Sequence, residues 1–134
     1  MCLLLEKARK DYDTAVYMQK LNDEYYLDIC CYHIEQAIEK VLKCSIELRG
    51  KKFSYTHVLA KTYEEYVSAG WPELKDLRLM TGTLTDWEAG ARYKDSFAAT
   101  VSQLNDAMEI YKELEKRLVD YLKSEDDENS QSAT

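Results

Sequence analysis

The chain has 134 residues, 25 acids against 18 bases, and a formal net charge of −7. That length suits one domain able to bury about two-thirds of its unfolded surface, and the acidic balance makes it a poor general binder of nucleic acid, whose affinity rests on Lys and Arg neutralising phosphates, although the local patch Arg49-Gly50-Lys51-Lys52 could contact one. Four Gly and a single Pro, Pro72, interrupt a composition otherwise rich in Leu, Glu, Lys and Ala, which favours helix.

From residue 4 to 21, Leu5, Ala8, Tyr12 and Ala15 recur at helical spacing. Asn22-Asp23 then offers a turn and an N-cap for a second helix over 24–49. One stripe of that helix runs through Cys30, Ile34, Ala37, Val41, Ser45 and Leu48, and a second through Leu27, Cys31, Ile38 and Leu42. Two stripes predict a central helix, buried around much of its circumference. Gly50 ends it, and Lys51 to Tyr55 form a loop. Thr56 suits the N-cap of a third helix over 56–69, which carries Val58, Leu59, Thr62, Tyr63 and Tyr66 to Gly70.

Pro72 fits the first turn of a fourth helix over 72–88, with Leu74, Leu77 and Thr81 inward. The weak propensity of "TGTLT" around Gly82 predicts a short helix, or one broken and resumed through Trp87, and Gly90 predicts a break. Asp95 suits the N-cap of a last helix over 95–123, striped by Phe97, Val101, Leu104, Met108, Tyr111, Leu114 and Leu118. No stretch alternates with period two and no segment repeats. The expected fold is an all-α antiparallel bundle of about five helices, spanning residues 1–123. The tail "SEDDENSQSAT", 124–134, holds four acids and no base. It lacks aliphatic anchors, and composition predicts a disordered, solvating end.

Cys2, Cys30, Cys31 and Cys44 belong to no even-spaced disulfide framework, and adjacent Cys30 and Cys31 point different ways on a helix. With no signal peptide and no apolar run of membrane length, the expectation is reduced, mostly buried thiols in a cytoplasmic protein that has no membrane partner. Cys30-x-x-His33 offers half a metal site, but no second pair stands at metal spacing, and packing is the competing reading. The expectation is neither metal nor cofactor. Eleven tyrosines need a use, as core edge or interface: Tyr25, Tyr26, Tyr32, Tyr63 and Tyr66 are among them.

His33, Gln36 and Lys40 share one face of the second helix by three- and four-residue spacing, forming either a polar pocket, a hydrogen-bonded dimer seam, or simply a face that is solvated or satisfied in the core. His57 suits a capping or holding role at the third helix. Arg92, Tyr93, Lys94 and Asp95 stand at the mouth of the last helix. Arg92 and Tyr93 fit either a ligand-binding pair or a loop anchor paired to a carboxylate.

Three segments in order resemble the HEPN family of small helical domains. They are His33 with Gln36-Ala37-Ile38-Glu39-Lys40-Val41-Leu42-Lys43, then Thr56-His57-Val58-Leu59, then Ala91-Arg92-Tyr93-Lys94-Asp95. The resemblance covers nearly all of the chain except the acidic tail; Lys94 departs from it, standing where many relatives have Pro. Ribonuclease members carry Arg, four to six residues, then His. Here those positions are Phe97, Ala98 and Ala99, and the only histidines are His33 and His57. The resemblance therefore implies a non-catalytic module with no catalytic residue of its own. It implies a homodimer that engages a nucleotidyltransferase protein partner, or a nucleotide or RNA phosphate, near Arg92, in a toxin–antitoxin type of system. The alternative is a metal-independent ribonuclease toxin with a displaced histidine, His33 being the first candidate.

Overall fold

Apolar residues at steps of three and four wind this chain into five helices in the computed structural model, which describes residues 2–21, 24–93 and 98–132 and, at residues 91–93 and 129–132, the backbone alone. They are α1 (Leu3–Leu21), α2 (Leu27–Leu48), α3 (Leu59–Ser68), α4 (Lys75–Tyr93) and α5 (Val101–Ser132). There is no strand among the described residues. The fold is the expected all-α bundle, and α2 is its centre, packing against each of the other four helices. Both predicted stripes of α2 turn inward: Cys30, Ile34, Ala37, Val41 and Ser45 of one and Cys31, Ile38 and Leu42 of the other are buried, while Leu27 and Leu48 at the helix ends are half-buried. Each large aliphatic there contributes about 1.5–3 kcal/mol by leaving water. Truncating one, as in Ile38→Ala, would cost about 2–5 kcal/mol.

The end of α2 is closed by Gly50, whose φ of 76° is the left-handed backbone that glycine adopts without strain. Lys51 N then donates back to Ile46 O at 3.2 Å. Beside it, the Arg49 guanidinium lies 4.8 Å from the Trp71 ring and 4.9 Å from the Tyr121 ring. Trp71 Nε1 donates to Ser45 O at 2.9 Å. These contacts fasten α2, the α3–α4 connection and α5 together at one end.

Several boundaries differ from the sequence reading, each for a tertiary reason. α3 starts at Leu59 rather than Thr56, because Ser54 donates from both N and Oγ to the Glu65 carboxylate and holds the chain in a loop. Thr56 caps no helix; its Oγ1 accepts from Val58 N, and Val58 is exposed. The Leu59 N–H is instead satisfied by Thr85 Oγ1 of α4 at 3.0 Å. Pro72 lies ahead of α4, and its carbonyl accepts from Arg117 Nη1 at 2.8 Å. The predicted breaks at Gly82 and Gly90 do not occur: α4 runs through both. Two interior glycines cost about 1 kcal/mol each, and burial of Leu77, Leu84 and Trp87 outweighs that.

Asp95 and Phe97, expected to open the last helix, lie outside the described residues. α5 opens with a reciprocal cap at Thr100: Gln103 N donates to Thr100 Oγ1 at 3.1 Å, and Thr100 N donates to Gln103 Oε1 at 3.0 Å. The helix continues to Ser132, past residue 123, so the structure winds part of the stretch whose composition suggests a disordered tail. The side chains of residues 123–128 are exposed, and Tyr121 OH donates to Glu125 Oε1 at 2.7 Å. Over residues 123–128 that extension is exposed and rests on its own helical turns.

Candidate functional site

The polar stripe of α2 divides between two neighbours. His33 Nδ1 lies 2.9 Å from Asp11 Oδ1 of α1, and Lys40 Nζ donates to Asp11 Oδ2. All three side chains are largely shielded from water. Two members of the expected pocket or seam are thus spent inside the protomer, joining α1 to α2. Gln36 turns the other way. Its Nε2 donates to Glu35 Oε2 at 2.8 Å and to Glu39 Oε2 at 3.4 Å.

That turn leads to a group of residues the sequence reading did not single out. Glu35 is fully buried, and Glu39 and Glu88 are only 6% and 7% exposed. Like charges taken out of water together are costly unless one accepts a proton. Burial pushes the Glu35 carboxyl up to about 9, and the neighbouring charge of Glu39, its hydrogen bond to Glu39 and the charge of Glu88 push the same way against the Gln36 hydrogen bond. Glu35 therefore holds its proton at pH 7, beside Glu39, whose Oε1 accepts from Lys43 Nζ at 2.5 Å. Lys43 in turn sits 5.2 Å from the Phe53 ring. Among the described residues Glu35 Oε1 has no hydrogen-bond partner. The signal that would have found this row is Glu35-x-x-x-Glu39-x-x-x-Lys43, steps of four running between two apolar stripes.

Glu88 belongs to α4, and His57 Nδ1 stands 3.8 Å from its Oε1. The His57 side chain is 72% exposed. His57 thus bonds no α3 amide as a cap; it leans from the α2–α3 loop towards α4. One turn beyond Glu88, α4 reaches Arg92 and Tyr93, its last two residues. Their side chains, like Lys94 and Asp95, lie outside the described residues. So does Phe97, while Ala98 is exposed and Ala99 half-buried.

Chemically, this end of α4 brings an imidazole against a carboxylate, within a helical turn of a guanidinium-bearing residue. Among the described residues no group of three or more His, Cys, Asp or Glu could hold a metal ion. Cys30 Sγ instead donates to Ala15 O at 3.5 Å. The four cysteines are free, three of them buried, and burial raises the Cys31 and Cys44 thiols above their ordinary range. The tyrosines are scattered by role: Tyr66 stacks on Trp71 at 5.6 Å, Tyr12 on Tyr111 at 4.6 Å, and Tyr25 packs edge-on to Tyr26 at 4.7 Å. No described helix is long and apolar enough to cross a membrane.

The family model described as HEPN domain matches residues 1–123. No curated protein and no solved structure matches the chain.

Proposed function

This chain belongs to the HEPN family, and from that premise we propose that it is a non-catalytic binding module: a homodimer whose Arg92 end of α4 engages a nucleotidyltransferase partner or a nucleotide phosphate, in a toxin–antitoxin type of system. The observation that carries this reading is the fate of the imidazoles. Cleavage of RNA needs a base for the 2′-hydroxyl as well as a cation for the phosphate. Phe97, Ala98 and Ala99 occupy the positions where ribonuclease members carry His, and His33 is held against Asp11. A guanidinium left without its imidazole is suited to holding an anion, not to cutting it.

Two-fold pairing through one patch doubles whatever that patch bears. Two copies of Arg92 and Lys94 supply local positive charge on an acidic protein, and Tyr93 is a side chain that interfaces favour. Sedimentation equilibrium should give a species of twice 15.7 kDa, and Tyr93→Asp should return it to the monomer. A monomer at micromolar concentration, or a dimer indifferent to Tyr93→Asp, refutes this assembly.

A second reading, the metal-independent ribonuclease with a displaced histidine, is favoured by one observation: the exposed His57 ring beside Glu88, one turn before Arg92. A carboxylate that orients an imidazole is a recurring way to make it a base. That moves the candidate from His33 to His57. RNA incubated with the purified protein and EDTA should stay intact. Cleavage lost in both Arg92→Ala and His57→Ala would establish the second reading instead.

A further inference from the structure

We propose that the groove between α4 and α5 docks a basic amphipathic helix of another protein. The proposal is independent of the Arg92 reading. Asp76 and Arg92 are sixteen residues apart on α4, about 24 Å at the helical rise.

The groove encloses about 510 Å³. From α4 it receives Asp76, Leu79 and Met80, and from α5 Asp106, Glu109, Ile110 and Glu113. Both sets fall on steps of three and four, so each helix offers one face. Ile110 is buried and Met80 half-buried, forming an apolar floor, while Leu79 is 68% exposed at the lip. Arg117 closes one end. Its Nη1 donates to Pro72 O at 2.8 Å, its Nη2 to Glu73 O at 3.3 Å, and its Nε to Glu113 Oε1 at 3.1 Å. The groove is therefore preformed at the start of α4.

Charge complementarity selects the occupant. The lining carries four carboxylates and no cation; two of the four are paired from outside it, Glu113 by Arg117 and Glu109 by Lys112, each at 3.1 Å. Asp76 and Asp106 make no ion pair or hydrogen bond among the described residues. A second copy seated by two-fold symmetry would set these acids against themselves, and like charges across an interface cost affinity. The chain's own 124–128 segment is acidic too and is repelled for the same reason. A helix of a partner, with Leu-sized groups for Leu79, Met80 and Ile110 and Lys or Arg at their flanks, matches both the apolar floor and the rim.

The test uses the full chain and a synthetic Leu/Lys amphipathic peptide of about 18 residues, long enough to hold a helix, beside a Leu/Glu peptide of the same pattern. Amide chemical shifts should move at 74–80 and 106–113 with one-to-one saturation, only with the Lys peptide, and binding should weaken with salt. Leu79→Ser, and separately Asp76→Asn with Asp106→Asn, should each weaken binding at least about tenfold, since one lost apolar contact or two lost charges reach that size. Shifts confined to 123–128, or affinity unchanged in both variants, would overturn the proposal. So would shifts in the groove that appear with protein concentration alone, which would make the occupant a second copy.

Discussion

Two rows of polar side chains lie almost side by side on α2, and the bundle answers them in opposite ways. His33 and Lys40 meet Asp11, an opposite charge delivered by α1. Glu35 meets Glu39 and the charge of Glu88, another acid, delivered by α4, with Lys43 the cation on Glu39. The first row draws two helices together by complementary charge. The second costs stability, because a carboxyl must stay protonated to be buried there. Glu88, whose charge this row meets, stands one helical turn before Arg92 along α4.

The strongest way to break this contrast is Glu35→Gln. The folded carboxyl is raised above its ordinary value of 4.5, so the native state keeps a proton that the unfolded chain releases. Stability is then full below pH 4.5 and falls as pH rises towards about 9. The amide of the variant does not titrate, so it carries no such penalty. At pH 7 the variant should be more stable by about 3 kcal/mol, with the gain vanishing near pH 4, as read by urea unfolding across pH. Parallel pH profiles for the two proteins would show that Glu35 does not hold its proton.

Asp11→Ala should act with the other sign. It strips His33 and Lys40 of their shared partner in a partly shielded place, and about 2 kcal/mol should be lost. A loss within error of zero would put this row among ordinary surface ion pairs. Two substitutions outside both rows set the scale. Thr100→Ala removes the reciprocal cap of α5 and should cost about 1 kcal/mol at every pH. Gly82→Ala should stabilise by about 0.5–1 kcal/mol, because a Cβ there meets nothing within 4 Å. Destabilisation at Gly82 would reveal a constraint on α4 that its helical backbone hides.

What was legible in the sequence was whatever repeats. The stripes through Ile34, Ile38 and Leu42 and through Leu104, Leu114 and Leu118 placed the core correctly, and the all-α class followed from them. What was not legible depended on partners distant in sequence. Nothing local says that Thr85 will satisfy Leu59, or that Leu84 and Trp87 will carry α4 across two glycines. Thr100-x-x-Gln103 is a capping pattern local to the sequence, and it opens α5 in the structure. At the candidate site, His33 and Lys40 were named, yet their partner Asp11 comes from another helix. Nothing local singles out Glu35, Glu39 or Glu88 taken one at a time, because isolated acids on a helix are usually solvated. Only the burial of α2 on nearly every side turns them inward.

The central place of α2 also fixes the order in which the domain can be completed. A chain emerging from the ribosome delivers α1 and α2 first and α5 last. Until α5 arrives, α2 lacks one of its four neighbours, and the face it turns to that helix remains open to water. The α1–α2 hairpin cannot finish on its own, so during synthesis it is a ready client for a chaperone. A message cut short before the codon for Val101 would yield not a smaller bundle but an uncovered helix.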